Sequence, residues 1–262
     1  MTIIITGTSA GIGLALAEYF GKKGHQVYGL SRKNTESEFF KTIPTDITDH
    51  SQVEHAISEI LKTEKSIDLL INNAGMGMVG AVEDSTQEEI LKLFNLNLVG
   101  AVQMMSGVLP KMREQKSGKI INISSIGSEM GLPFRGFYSA SKSALDKVTE
   151  AIRYEVSPWK IDVCTLHLGD IKTKIAENRV KTKVSEPYKK TFEKVYSLMN
   201  SHVDDGSEPA EVAEYIEKLI AKKSWKAHYY FGKFGQKIGV PLKWILPQNF
   251  YENLMKKYNK MD

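Results

Sequence analysis

The chain has 262 residues, 42% of them apolar and 25% charged, with 35 Lys+Arg against 31 Asp+Glu for a net +4. That is enough chain for one sizeable core, and the balance excludes disordered, collagen-like and disulfide-scaffold architectures. So mild a charge implies no nucleic-acid partner. Cys164 is the single cysteine and the six histidines are scattered, so neither a disulfide nor a catalytic metal is expected, and a reducing, cytoplasmic compartment is the default. Met1–Gly7 lacks the basic and apolar regions of a signal peptide, and no apolar run approaches the ~18 residues that span a bilayer.

In chain order the pattern predicts a strand at Thr2–Thr6, a helix at Gly11–Lys23, strands at Gln26–Leu30 and Lys41–Pro44, and a helix at His50–Glu64. A strand at Ile67–Ile71, a long helix at Gln87–Arg113, a strand at Lys119–Ser124 and a helix at Gly136–Val156 follow. The series closes with a strand at Ile161–His167, a helix at Glu208–Lys222 and a strand at Ala227–Phe231. Short β-branched runs alternating with helices give a parallel sheet, and near-continuously apolar strands such as Ile67–Ile71 belong to a sheet covered on both faces. The expected fold class is therefore α/β, a Rossmann-like, doubly wound parallel sheet in a single domain over residues 1–231. Residues 171–207 break the rhythm with a long polar connection that holds one aromatic-bearing helical stretch around Tyr188–Asn200, and the segment is expected to be a substrate lid. Residues 232–262 form a C-terminal extension packed on the same domain.

Thr6-Gly7-Thr8-Ser9-Ala10-Gly11-Ile12-Gly13 follows the first strand and opens the first helix. Glycines there allow a tight turn and let backbone approach a pyrophosphate, which the N-terminus of the helix would hold through free N–H groups. The candidate cofactor contacts in this turn are Gly7, Ser9, Gly11, Ile12 and Gly13. Cofactor choice is written after the second strand, where a carboxylate would bind a ribose 2′-hydroxyl and an arginine a 2′-phosphate. Ser31-Arg32-Lys33 offers no carboxylate, so Arg32 favours NADP(H) over NAD(H).

Tyr138 and Lys142 stand at i and i+4 of a predicted helix, on one face. A free tyrosine titrates near ~10, so acid–base work near neutrality needs a shift of about three units, or roughly 4 kcal/mol. A lysine charge ~4 Å away at an effective dielectric of ~20 supplies about that much. The spacing alone decides nothing, since Tyr19/Lys23 and Tyr229/Lys233 share it. The neighbourhood selects Tyr138, because Asn72-Asn73-Ala74-Gly75 and Asn122-Ile123-Ser124-Ser125 end two strands, and ligands bind at such carboxyl ends.

With these residues in order, the chain resembles the short-chain dehydrogenase/reductase family over roughly residues 1–215. That family carries a T-G-x-x-x-G-x-G entry, an N-N-A-G element and an Asn–Ser–Tyr–Lys tetrad. The resemblance implies that Tyr138 is the catalytic acid/base, and that Lys142 lowers its pKa and holds the nicotinamide ribose. It makes Ser125, thirteen residues before Tyr138, the serine that bonds the reacting oxygen; Ser124 falls on the alternate face of the strand. Asn97, in Asn97-Leu98-Val99-Gly100, matches the asparagine that anchors a water feeding Lys142, and Asn95 lacks the following glycine. Asp46, with Ile47, resembles the adenine-contacting element, while Asn73, Ala74 and Gly75 supply further cofactor contacts. Gly169, Ile171 and Thr173 resemble the Pro-Gly-x-x-x-Thr element beside the nicotinamide, although Leu168 replaces its proline.

The implied reaction is hydride transfer between nicotinamide and a carbonyl carbon, with Tyr138 giving its proton to the oxygen. Met76, Met78, Met130, Leu132 and Phe134 follow the site motifs and point to a hydrophobic ketone, aldehyde or secondary alcohol as substrate. Two other readings stay open: a 3-oxoacyl-carrier reductase, and a non-catalytic NADP(H)-sensing or scaffold protein of the same fold. The family resemblance implies a homodimer or homotetramer. Residues 222–262 hold nine lysines against Glu252 and Asp262, a net +7 that leaves −3 for the rest of the chain, and nine of its 24 aromatics. Such a tail can cover an apolar pocket, join an oligomer, or lie at an anionic membrane surface as a peripheral contact.

Overall fold

The structure, a computed structural model, describes residues 1–173 and 179–261. Strand β1 (Thr2–Thr6) is followed by α1 (Gly11–Lys22), β2 (Gln26–Ser31), β3 (Lys41–Pro44), α2 (His50–Thr63), β4 (Leu69–Asn72) and the short β5 (Met78–Val79). Next come α3 (Gln87–Phe94), a wider π-helical turn at Asn95–Gly100, α4 (Ala101–Gln115), β6 (Gly118–Ser125), α5 (Gly136–Glu155) and β7 (Ile161–Leu168). The chain ends with β8 (Val180–Lys181), α6 (Glu186–Asp204), α7 (Pro209–Ile220), β9 (His228–Phe231), α8 (Phe234–Ile245) and α9 (Gln248–Tyr258).

Seven strands form one parallel sheet in the order β3-β2-β1-β4-β6-β7-β9. The alternation of side chains along β1 explains why the sheet needs helices on both faces. Ile3 and Ile5 join Leu16, Phe20, Val212 and Ile216 of α1 and α7 on one side. Ile4 joins Val53, Ile57, Met104, Val108 and Met112 of α2 and α4 on the other. All five residues of β1 are buried, so a strand of β-branched residues with no polar face is what this position demands. The chain runs outward from β1 to β3 and then returns to β4, so the connections after β1 and β4 part in opposite directions. That divergence leaves a crevice at their carboxyl ends.

The doubly wound, Rossmann-like single domain agrees with the expectation, while several elements differ. The strand expected at Ile67–Ile71 begins at Leu69, because Ile67 spends both backbone groups on the Gln115 side-chain amide and Asn72 carries the ladder one step further against Asn122. The helix expected at Gln87–Arg113 is interrupted by the π turn, where Asn97 turns inward to bond other backbone. Gln87–Gln115 as a whole is long and apolar enough to cross a membrane by length and composition, which corrects the expectation that no run approaches a span. Met104, Met105, Val108 and Met112 of this segment are nevertheless fully buried against the sheet, as in a core helix. The connection at 171–207, expected as a lid, contains β8 paired in parallel with β5, and the long helix α6; its residues 174–178 lie outside the described ones. The extension after Gly232 folds as α8 and α9 and packs Val240, Leu246, Tyr251 and Met255 against Ile126, Met130 and Leu132.

Packing between α1 and the segment before β3 is tight enough to exclude one methyl group. A Cβ on Gly21 would overlap the Phe39 carbonyl, whereas one on Gly235 of α8 would meet nothing within 4 Å. Gly21→Ala should destabilise the fold by roughly 2 kcal/mol and lower the thermal midpoint by at least about 4 °C. Gly235→Ala should leave it unchanged or raise it, since alanine favours a helix; parallel thermal melts of the two variants check the contrast.

Candidate active site

The glycine turn and the loop after β4 are locked together at the divergence point. Thr6 Oγ1 accepts from the backbone N–H groups of Asn73 (3.0 Å) and Ala74 (2.9 Å), while the Asn73 amide donates to the Thr6 carbonyl at 2.9 Å. Gly7 has φ +76°, and a Cβ there would stand 2.9 Å from the Ala74 Cα. A Cβ on Gly13 would overlap the Gly7 carbonyl, so these glycines are required both by backbone shape and by the closeness of the two loops. Gly11 has φ +59° and faces Thr173, whose methyl would lie 3.4 Å from an added Cβ. Ala10 precedes α1 with no side-chain cap, so the N–H groups of its first turn are left for a ligand, and the buried Thr8 hydroxyl has no partner.

These features fit a dinucleotide: bare backbone at Gly7, Gly11 and Gly13, uncapped helix N–H groups, and an orphaned buried hydroxyl. Ser9 is exposed at the same turn and Ile12 is half-buried beneath it. Gly7 N–H donates to the Leu30 carbonyl at 2.7 Å, which brings the end of β2 alongside, and Arg32 is exposed there beside Lys33. Asp46 stands at the end of β3, accepting from Thr48 N–H (3.0 Å) and its hydroxyl (2.7 Å), with Ile47 buried behind it against Gly100. Gly169 donates to the Phe231 carbonyl at 2.8 Å, and Ile171 is buried and bridges to Ser207. Leu168, at the position of the family's proline, is a buried strand residue paired with both Ser125 and Phe231.

The four residues expected to do the chemistry converge at the other side of the crevice. The Ser125 hydroxyl lies close enough to the Tyr138 phenol to influence its ionisation, and Ser125 Oγ accepts from Gly127 N–H at 3.0 Å. Ser124, one residue earlier, turns its hydroxyl into the interior where it finds no partner. Lys142 is buried one turn after Tyr138 and donates to the Ile123 carbonyl at 2.9 Å. Asn97 clamps three elements: its amide donates to the Met76 carbonyl (2.9 Å) and the Ser141 hydroxyl (3.0 Å), and its carbonyl oxygen accepts from Met76 N–H (2.8 Å). Ser141 in turn donates to the Tyr138 carbonyl at 2.8 Å. Gly75 is the bare position between the two, since a Cβ there would lie 3.1 Å from Asn97 Oδ1 and 3.3 Å from Lys142 Nζ.

Burial raises the Tyr138 phenol above its ordinary value; the Ser125 hydroxyl and the charges of Arg135 and Arg179 pull it back down. Burial also pulls Lys142 down to about 8, against the opposing charge of Asp146. The two arginines escaped the sequence reading. Arg135 immediately precedes α5, three residues before Tyr138, and its Nε is buried with no hydrogen-bond partner. That spacing was legible. Arg179 arrives from the polar connection, packs its stem on Gly77 and donates to Asn200 Oδ1 at 2.8 Å, and nothing in the local sequence marks it.

Two supports were also missed. Asn72 donates to Asn122 Oδ1 (2.9 Å) and Asn122 to Thr149 Oγ1 (2.8 Å), a buried amide chain that ties β4, β6 and α5 beneath the site. His167 is fully buried, with Nδ1 3.2 Å from the Ser125 carbonyl and 3.1 Å from Ser128 Oγ, and burial lowers its pKa. Of the residues expected to line the substrate side, Phe134 stacks edge-on with Tyr188 and Phe192 of α6, and Met130 receives the Tyr251 hydroxyl at 3.1 Å. Met78 is instead a buried member of β5.

Comparison with known proteins identifies the family. The family model for short chain dehydrogenase matches residues 1–184. The chain is 37% identical over 258 residues to a 3-ketodihydrosphingosine reductase of Bacteroides thetaiotaomicron, covering 97% of this chain and 96% of that protein. It is 32% identical over 245 residues to an NADPH-dependent 3-dehydrocapnine reductase of Ornithobacterium rhinotracheale, covering 86% and 82%. A crystal structure of a short-chain dehydrogenase from Streptomyces avermitilis superposes with a TM-score of 0.85 at 25% identity, covering 100% of this chain and 99% of that one. The chain belongs to the short-chain dehydrogenase/reductase family and is an oxidoreductase with the nicotinamide-cofactor fold of that family.

Proposed function

We propose that the protein reduces a hydrophobic ketone to a secondary alcohol at the expense of NADPH. The observation that carries this reading is the half-buried Tyr138, whose phenol lies within electrostatic reach of Ser125 across the crevice from the glycine turn. When bound, the cofactor supplies the hydride acceptor or donor at its nicotinamide. Everything else falls to the chain. Tyr138 presents its proton to the carbonyl oxygen, and Ser125 adds a second hydroxyl to the same oxygen as negative charge develops there. Arg135 and Arg179 favour the phenolate left behind, opposing the burial that disfavours it. Lys142 and Asn97, fixed on Ile123 and Met76, are placed to hand a proton toward the base of α5 around Gly75.

NADP(H) is favoured by Arg32, which is exposed at the end of β2 with no carboxylate at that turn. One relative is named as NADPH-dependent, in line with this choice. An apolar substrate is favoured by Phe134, Leu132 and Met130 on the entrance side and by the tail helices that close over them. Another relative is named for a 3-keto compound, which is the functional group the Tyr138–Ser125 pair is shaped to polarise.

Tyr138→Phe removes only the proton donor. Turnover of an aliphatic ketone should fall by about 10²–10⁴-fold, while NADPH affinity, read from nucleotide fluorescence, should stay within twofold or so of the parent. Retained turnover would overturn the assignment. Arg32→Ala should erase a preference for NADPH over NADH that is at least about tenfold in the parent protein, measured as the ratio of dissociation constants.

Lys142 yields a stability prediction. Its folded pKa of about 8 lies below the ~10.4 of an unfolded lysine. Between those values the folded chain has released a proton that the unfolded chain still holds, so this group favours folding more as pH rises through the window. Below the folded value the ammonium is charged and its burial cost is fully present. Relative to Lys142→Met, the unliganded parent should therefore gain on the order of 2 kcal/mol between pH ~8 and ~10, checked by urea unfolding of both proteins.

A further inference from the structure

The two helices after β9 carry two apolar faces each. On α9, Tyr251, Met255 and Asn259 repeat every four residues and turn inward, Tyr251 and Met255 joining the cluster over Ile126 and Met130. One residue out of phase, Phe250 and Leu254 face water, while Tyr258 at the same spacing lays one side of its exposed ring against His202 of α6. On α8, Val240 packs inward and Lys243 donates to the Glu129 carbonyl at 2.6 Å, while Phe234, Ile238 and Ile245 line the outer side. Phe234, Trp244 and Ile245 are 76%, 75% and 76% exposed and Phe250 is 60% exposed. A helix at the surface of a soluble domain turns a polar face outward; these do not.

Among the described residues, eight of the fifteen exposed large hydrophobic side chains fall between Phe234 and Met261, so this is a concentrated patch rather than ordinary scatter. Exposed lysines flank it at Lys233, Lys237, Lys256, Lys257 and Lys260, against Glu252 alone in the two helices. The charge decides between occupants. A second copy seated on the same face would bring two strongly basic segments together, whereas anionic headgroups complement them.

We propose that α8 and α9 form an interfacial platform that seats the protein on an anionic membrane surface, with their outer apolar side chains at the acyl boundary and the lysines among the headgroups. The inner faces of the same helices cover the active-site entrance, where Gln236 donates to Asp170 Oδ2 at 2.5 Å and the Tyr251 hydroxyl to Met130. The platform would thus set the mouth of the crevice against the bilayer. It stands on the tail alone, so it can be tested without turnover.

The full chain is mixed with vesicles of phosphatidylcholine, or of phosphatidylcholine with phosphatidylglycerol, and the bound fraction is measured by sedimentation over a salt series. Retention should require the anionic lipid and weaken as salt screens the lysines. Trp244→Ser with Ile245→Ser should lower partitioning by about tenfold or more, with NADPH binding and the melting midpoint unchanged. Lys256→Gln with Lys257→Gln should weaken retention at low salt only. Equal binding of the parent and the Trp244/Ile245 variant, or no retention on anionic vesicles, would overturn the proposal. So would a Trp244/Ile245 variant that sediments as a smaller species than the parent in lipid-free solution, which would make this face a contact between copies.

Discussion

The site depends on one threonine. Thr6 is the last residue of β1, and its hydroxyl takes the N–H groups of both Asn73 and Ala74 while its carbonyl takes the Asn73 side chain. Parallel strands cannot share a tight turn, so their ends are joined only by the loops that leave them, and at the divergence of β1 and β4 those loops run opposite ways. Without a cross-link the glycine turn and the Asn73–Gly75 loop would each be free to relax. With it, Gly7 and Gly13 are forced so close to their neighbours that no side chain fits, and the dinucleotide cradle and the floor of the reacting centre become one rigid unit.

From that unit the polar order spreads through helices that are otherwise apolar. Asn97 leaves the helical register to bond both backbone groups of Met76, and this is what the π turn between α3 and α4 accomplishes. The same amide reaches Ser141, which holds the carbonyl of Tyr138, so the loop after β4 and the first turn of α5 share one side chain. Below them the Asn72–Asn122–Thr149 chain fixes how α5 sits on the sheet. Buried amides are costly unless satisfied; Asn97 and Asn122 use both of their polar atoms, while Asn72 spends its Nδ2 on Ala101 and Asn122 and leaves its Oδ1 without a partner.

Most of this was legible in the sequence where a residue's role is local. The order of strands and helices follows from periodicity, and the glycine spacing together with Asn73–Gly75, Ser125, Tyr138 and Lys142 marked the crevice before any coordinates. The break at Asn97 was hidden because a π turn has the same residues and nearly the same period as the helix around it. Arg179 and His167 were hidden for another reason. Each reaches the site from a distant element, Arg179 from β8's approach and His167 from the buried end of β7, and no spacing along the chain encodes such a meeting. Arg135 lay between these cases: its distance from Tyr138 was readable, but the burial of its unpaired Nε depends on α6, whose Phe192, Val195 and Met199 lie beside it.

The electrostatics of the reacting centre rest on a division of labour. Desolvation makes the half-buried Tyr138 phenol resist ionisation, and a single buried lysine that is itself pulled down to about 8 is a weak remedy, because the burial that raises one group lowers the other. Burial pulls the Arg135 and Arg179 guanidinium groups down as well, but from so high an ordinary value that they hold their charge where the lysine begins to lose it. Both lie within electrostatic reach of Tyr138 and favour its phenolate even where Lys142 is neutral, while Lys142 itself donates to the Ile123 carbonyl. The tail touches this centre through one stretch of chain: α8 and α9 pack on Ile126, Met130 and Leu132, within the segment that runs from Ser125 to Tyr138, so the stretch that spaces the two hydroxyls is the one the tail holds down.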